Sequence, residues 1–99
     1  MRSARGDWGA GVNKPDGPSK AICAALRRVG CGVSQIASAS GHGGVPDLLV
    51  SFRGAWTCME VKSPKGKLSP VQVLWHLEQR AVVHVVRSVE DALAAIGLA

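Results

Sequence analysis

From residue 19 onward the chain switches repeatedly between two hydrophobic periods. Ile22, Ala25, Leu26 and Val29 recur at helical spacing. Ser19 stands where an N-cap belongs, Gly30 where a C-terminal cap belongs, and Arg27 and Arg28 lie in the last turn, where cations complement the helix dipole. The spacing predicts a helix from Lys20 to about Val29. From Gly32 to Ser38 the period falls to two, with Val33, Gln35 and Ala37 alternating with Ser34, Ile36 and Ser38, which predicts a strand. Ser40-Gly41-His42-Gly43-Gly44 is a loop. Leu48 to Phe52 is a second strand, Arg53-Gly54 a tight reversal, and Ala55 to Lys62 the returning third strand.

Ser63 to Leu68 is a basic loop carrying Lys65 and Lys67. Ser69-Pro70-Val71-Gln72 then opens a helix: Ser at the N-cap, Pro at the first helical position, and Gln three residues after the Ser. This helix is expected to end near Arg80 and to bury Val71, Leu74 and Trp75. Ala81 to Val86 is nearly continuous apolar sequence, as in a strand covered on both faces. Ser88 caps a last helix with Val89, Leu93 and Ile96 inward and Gly97 after it. The order α-β-β-β-α-β-α predicts an α/β fold, a mixed sheet flanked by helices. The strand ending at Lys62, the following helix and the strand at Val82 to Val86 make a βαβ unit, right-handed by the usual rule. Met1 to Pro18 has no apolar period and is rich in Gly, Pro, Asn and Asp. It reads as a flexible leader, ordered only where a partner or second subunit holds it, with the folded domain at residues 19–99.

Ninety-nine residues, 46% of them hydrophobic, suffice for one domain with a single small core, which makes dimerisation a natural supplement. The net charge of +5 and pI near 9.6 favour an anionic partner, nucleic acid being the commonest; a merely soluble basic surface is the bland alternative. Three Trp, one Phe and no Tyr leave little from which to build a base-stacking platform. Cys23, Cys31 and Cys58 are an odd number with no Cys-x-x-Cys pair, and read as reduced thiols in a cytoplasmic protein. No apolar run reaches about eighteen residues, so no membrane span is expected. Arg2 and Arg5 are followed by no apolar stretch of the kind a secretory signal needs.

The reversal at Arg53-Gly54 brings chemistry into view. If it is a two-residue hairpin, Phe52 pairs with Ala55, Ser51 faces Trp56, Leu49 faces Cys58, and Asp47 faces Glu60. A three-residue loop would introduce a bulge and shift the pair by one position. Carboxylates directly opposite on neighbouring strands would have Cβ atoms about 4.5–5.5 Å apart, a repulsive arrangement that a divalent cation would offset. Oxygen ligands of this kind suit Mg²⁺, which keeps waters and accepts phosphate oxygens. Lys62, two residues past Glu60, falls on the same face, where its ammonium can hold an attacking water and support charge developing on a phosphate. The bland reading is that Asp47 starts a strand and Glu60 with Lys62 forms a polar stripe.

Pro46-Asp47 followed by Glu60-Val61-Lys62 resembles the signature of the PD-(D/E)XK nuclease superfamily. Within it the chain is most similar to the VRR-NUC family of small nucleases, which includes stand-alone forms encoded by phages. The likeness runs through Gly41-His42-Gly43-Gly44-Val45-Pro46-Asp47-Leu48-Leu49-Val50, Glu60-Val61-Lys62 and Gly66-Lys67-Leu68-Ser69-Pro70-Val71-Gln72. In element order it extends over residues 19–97.

The resemblance implies a restriction-endonuclease-like fold and a Mg²⁺- or Mn²⁺-dependent DNA endonuclease in a bacterial or phage-infected cell. Asp47 and Glu60 would bind metal, with the backbone carbonyl of Val61 as a further ligand, and Lys62 would orient the attacking water. Gln72 matches a glutamine near the family's active site, although the capping box with Ser69 explains it equally well. His42 would approach a phosphate or serve as a base, or be a plain loop histidine. Lys65 and Lys67 would contact the DNA backbone, or be solvated. The implied substrate is branched DNA, four-way (Holliday) junctions included, cut by a homodimer.

One departure stands out. Related nucleases often carry an acidic residue on the first helix, whereas Lys20 to Val29 contains none and Ala21 or a neighbour stands where it would be. Asp16 would substitute if the leader folds back; otherwise one metal ion, or weak binding, is expected. The rival readings are a nuclease-fold nucleic-acid-binding protein without activity, and a basic partner-binding module.

Overall fold

The computed structural model describes residues 17–37, 41 and 43–98. Its elements are α1 (Gly17–Arg28), β1 (Gly32–Gln35), β2 (Leu48–Phe52), β3 (Ala55–Val61), α2 (Pro70–Glu78), β4 (Val83–Val86) and α3 (Val89–Ala95). This is the order that the patterning predicts. The strands form one mixed sheet in the order β1-β2-β3-β4, antiparallel except for the parallel β3–β4 pair. Among the described residues, three helices flank it.

The β2–β3 hairpin sets the register. Arg53 and Gly54 both take positive φ, 50° and 82°, the backbone of a two-residue turn whose twist matches the flanking strands. Phe52 therefore pairs with Ala55, Ser51 with Trp56, Leu49 with Cys58 and Leu48 with Met59. The next step of that ladder is Asp47 beside Glu60, as the hairpin argument expects.

Alternation then sorts side chains between two faces. Leu48, Val50 and Met59 lie on one, with Ile22 and Leu26 of α1, Val86 of β4 and Ala92 of α3, all buried in one core. Each of the larger side chains, Ala92 excepted, stabilises the fold by roughly 1.5–3 kcal/mol. The other face, with Leu49, Trp56, Cys58 and Glu60, carries α2.

Several expectations need correction. α1 begins at Gly17, so Ser19 is a buried position inside it rather than its cap, and it completes the stripe Ser19, Ile22, Cys23, Leu26. Pro18 fits the first helical turn, since its fixed φ is already helical. Val29 lies past the helix end and is 39% exposed. The helix closes as Gly30 donates to the Arg27 carbonyl and Cys31 to that of Leu26. β1 stops at Gln35, short of Ser38. Residues 1–16 of the expected leader, with Asp16, lie outside the described residues.

α2 differs most. It ends at Glu78, capped by Gln79, and no residue in it is fully buried. Val71 and Leu74, expected inward, are 42% and 59% exposed, and Trp75 alone of the expected three is half-buried. The row that turns inward is Gln72, Trp75, His76 and Gln79, because hydrogen bonds of Gln72 fix the rotation of the helix. β4 is an edge strand with only Val86 buried; Ala81 and Val82 are exposed, not covered on both faces. α3 follows expectation, with Val89, Leu93 and Ile96 packed on the core, and adds Ala92 as its buried contact. Among the described residues no helix is long and apolar enough to cross a membrane.

Candidate active site

The site lies where β2 begins and β3 ends, beneath the first turn of α2. Asp47 directly precedes β2. Its carbonyl accepts from Ile36 N at 2.9 Å on the β1 side, and its carboxylate Oδ2 accepts from Val61 N at 2.8 Å on the β3 side. Asp47 is thus held by the backbone of the Glu60-Val61-Lys62 segment itself. Lys62 N in turn donates to the Val86 carbonyl at 3.0 Å, carrying the β3–β4 pairing through the lysine.

Glu60 is the unusual group. It is only 2% exposed. Its Oε2 accepts from Gln72 Nε2 at 3.2 Å, while its Oε1 is buried with no hydrogen-bond donor. An ionised carboxylate in that setting is costly, because water is gone and one oxygen is unsatisfied. Its pKa accordingly stands at about 8, with burial the largest cause. Protonated Glu60 also gains a hydrogen bond to Asp47 and escapes repulsion from the Asp47 charge, and both contribute to the rise; the Lys62 ammonium pulls the other way. Near neutral pH Glu60 is therefore largely protonated, and strongly perturbed carboxyl groups of this kind cluster at functional sites.

Gln72 completes the capping box and also reaches Glu60. Its Oε1 accepts from Ser69 N at 2.8 Å while Ser69 Oγ accepts from Gln72 N at 3.3 Å, completing the capping box. Its amide nitrogen is left free to donate to Glu60. A neutral side chain here supplies an acceptor to the helix cap and a donor to the carboxylate at once.

The glycine-rich approach to Asp47 has a steric reason. A Cβ on Gly44 would fall 2.7 Å from Trp75 Cβ and 2.7 Å from the Val71 carbonyl oxygen, so only glycine lets this loop meet the α2 backbone. That contact seats the first turns of α2, and hence Gln72, over β3. Nothing in the sequence reading distinguished Gly44 from its neighbours; its signal was merely a run of glycines before Pro46.

Asp47, Glu60, Val61, Lys62 and Gln72 are therefore brought together. Lys65 and Lys67 are exposed on the loop between β3 and α2, next to this group in sequence but with no bond into it. His42 lies outside the described residues. A divalent cation fits the donor set: two neighbouring carboxylates, one with an orphaned buried oxygen, are satisfied by positive charge and by little else. Among the described residues no third Asp, Glu, His or Cys joins them, and α1 has no acidic residue in its first turn. The sequence matches no family model, and no curated protein matches it.

Proposed function

We propose that the protein is a Mg²⁺- or Mn²⁺-dependent deoxyribonuclease that hydrolyses phosphodiester bonds, acting as a homodimer on branched DNA such as four-way junctions. The observation that carries the reading is Glu60: a buried carboxylate with an unpartnered oxygen, set beside Asp47 and two residues from Lys62. Asp47 and Glu60 would hold the cation, with the Val61 carbonyl as a further donor. When bound, the cation supplies charge stabilisation to a phosphate oxygen and makes water a better nucleophile. Lys62 orients the attacking water and supports the charge that develops on the phosphate. Gln72 holds Glu60 in place through its amide, and Lys65 and Lys67 neutralise phosphates beyond the cut bond. The +5 net charge supports an anionic substrate of this kind.

A second subunit finds support in α2. With its polar row turned to the sheet, the helix presents Val73, Leu74 and Leu77 outward, 41%, 59% and 76% exposed, and Val82 beyond them is 71% exposed. Exposed apolar side chains gathered on one helix support an interaction surface there. Two sites in one dimer would reach two strands of a branched substrate.

The test is cleavage of junction and linear DNA with Mg²⁺ by wild type and Asp47→Asn. Cutting by wild type alone, abolished by the substitution and by chelation, is the expected result; equal behaviour of the two proteins refutes the enzyme. The absence of a third acidic ligand among the described residues favours a second reading, a nuclease-fold DNA-binding protein without activity, and that reading predicts junction binding with no cutting by either protein.

A further inference from the structure

The loop between β3 and α2 is gathered around a side chain from elsewhere in the chain. Arg87 directly follows β4, and its Nη1 donates to the carbonyls of Ser63 at 2.7 Å and Gly66 at 2.6 Å, with the Pro64 carbonyl 3.5 Å away. The Ser63 carbonyl also accepts from Gly66 N at 3.0 Å, so residues 63–66 form a closed turn with the guanidinium on its carbonyl side. Three converging carbonyl dipoles repel one another, and a cation among them offsets that repulsion with charge-assisted hydrogen bonds. Arg87 is itself anchored: its backbone N–H donates to Asp91 Oδ2 at 2.8 Å, and Asp91 N donates to the Ser88 hydroxyl at the start of α3.

The loop containing this turn has Lys62 at one end and the Ser69 cap of α2 at the other, with Lys65 exposed within the turn and Lys67 exposed directly after it. We propose that Arg87 is a positioning residue. Its guanidinium fixes the 63–66 turn in the shape that presents Lys65 and Lys67 to the phosphate backbone of the nucleic-acid substrate. Arg87 itself touches no substrate; its charge is spent on the carbonyls, and its effect reaches DNA through the two lysines. This inference rests on the nucleic-acid reading given above.

Five proteins test it: wild type, Arg87→Ala, Arg87→Lys, and Lys65→Ala/Lys67→Ala with and without Arg87→Ala. Backbone amide exchange over residues 63–68 reads the clamp without DNA; Arg87→Ala should speed it at least tenfold, and Arg87→Lys, whose ammonium offers the same carbonyls three donors, should recover part of the protection. On junction DNA, Arg87→Ala should raise KM (or Kd, for binding alone) about tenfold with kcat within twofold, as loss of uniform binding does. The slope of log affinity against log salt should also flatten by about one to two, one phosphate contact per lysine. In the Lys65→Ala/Lys67→Ala background, adding Arg87→Ala should change KM less than twofold, because the contacts it supports are already gone. Fully additive effects, a fall in kcat with KM unchanged, or unaltered exchange in the loop would each overturn the proposal. If wild type neither binds nor cuts DNA, the nucleic-acid reading and the presentation of the lysines fail together, whereas unaltered exchange with DNA binding intact refutes the clamp alone.

Discussion

Replacing Glu60 by Gln isolates the proton that this carboxyl group holds. Glu60 titrates near 8 in the folded protein against an ordinary value of 4.5. Because the folded pKa is the raised one, the associated stability is fully present below the ordinary carboxyl range and is lost as pH rises through about 8. Between those limits the folded state binds one proton more than the unfolded state, which gives a slope of roughly −1.4 kcal/mol per pH unit. From pH 5 to pH 8 the metal-free protein should therefore lose on the order of 4 kcal/mol, a large share of the total stability of a small domain. For a domain of 99 residues that corresponds to a fall in Tm of roughly 15–30 °C. Glutamine keeps the shape and cannot ionise, so Glu60→Gln should show little of this slope and should exceed wild type in Tm at pH 8. The assay is thermal unfolding in chelator at half-unit steps of pH, followed by fluorescence of the three tryptophans. A wild-type Tm that is flat from pH 5 to 8, or a Glu60→Gln curve parallel to it, would refute the reasoning.

Four further outcomes follow from the same geometry. Mn²⁺ should stabilise wild type more at pH 8 than at pH 5.5, since at the lower pH it must displace a proton from Glu60; at a hundredfold excess over Kd the gain is about 2.7 kcal/mol, and Asp47→Asn should abolish it in a metal titration followed by Tm. Gln72→Glu keeps the acceptor that Ser69 N needs but sets a third carboxylate against Glu60, so helix content by circular dichroism should persist while cleavage is lost and the pH sensitivity of stability grows. Gly44→Ala forces a Cβ into the α2 backbone and should cost about 1–3 kcal/mol in denaturant unfolding, with cleavage reduced as Gln72 shifts off Glu60. Leu77→Glu places a charge in the outward apolar row, and sedimentation equilibrium should then report monomer where wild type reports dimer, with the monomer's own unfolding Tm near neutral change because Leu77 is 76% exposed within one chain.

How much of this was legible in the sequence depends on whether local rules or tertiary contacts decide each feature. The Arg53-Gly54 turn is a local matter, and from it followed the register that sets Asp47 beside Glu60. The Ser69–Gln72 box is equally local, and it marked the start of α2 correctly. The rotation of α2 is not local. Apolar residues lie nearly all round the helix, so periodicity alone chose Val71, Leu74 and Trp75 as its inward face. The hydrogen bonds that Gln72 accepts from Ser69 N and donates to Glu60 turn it instead toward Gln72, Trp75, His76 and Gln79. The run Ala81 to Val86 misled for a related reason: apolarity reports that a surface wants cover, not whether the same chain supplies it. Arg87 left no trace in the sequence reading, because a guanidinium that binds backbone carbonyls needs no particular residue types as partners.

The central claim is that Asp47 and Glu60 together hold a divalent cation, and anomalous diffraction from crystals grown with Mn²⁺ at pH 8 tests it most directly. The account predicts a Mn²⁺ peak between the two carboxylates, in contact with Glu60 Oε1, the atom that now has no partner. No anomalous peak at that position, with Mn²⁺ in excess and both side chains well ordered, would contradict it.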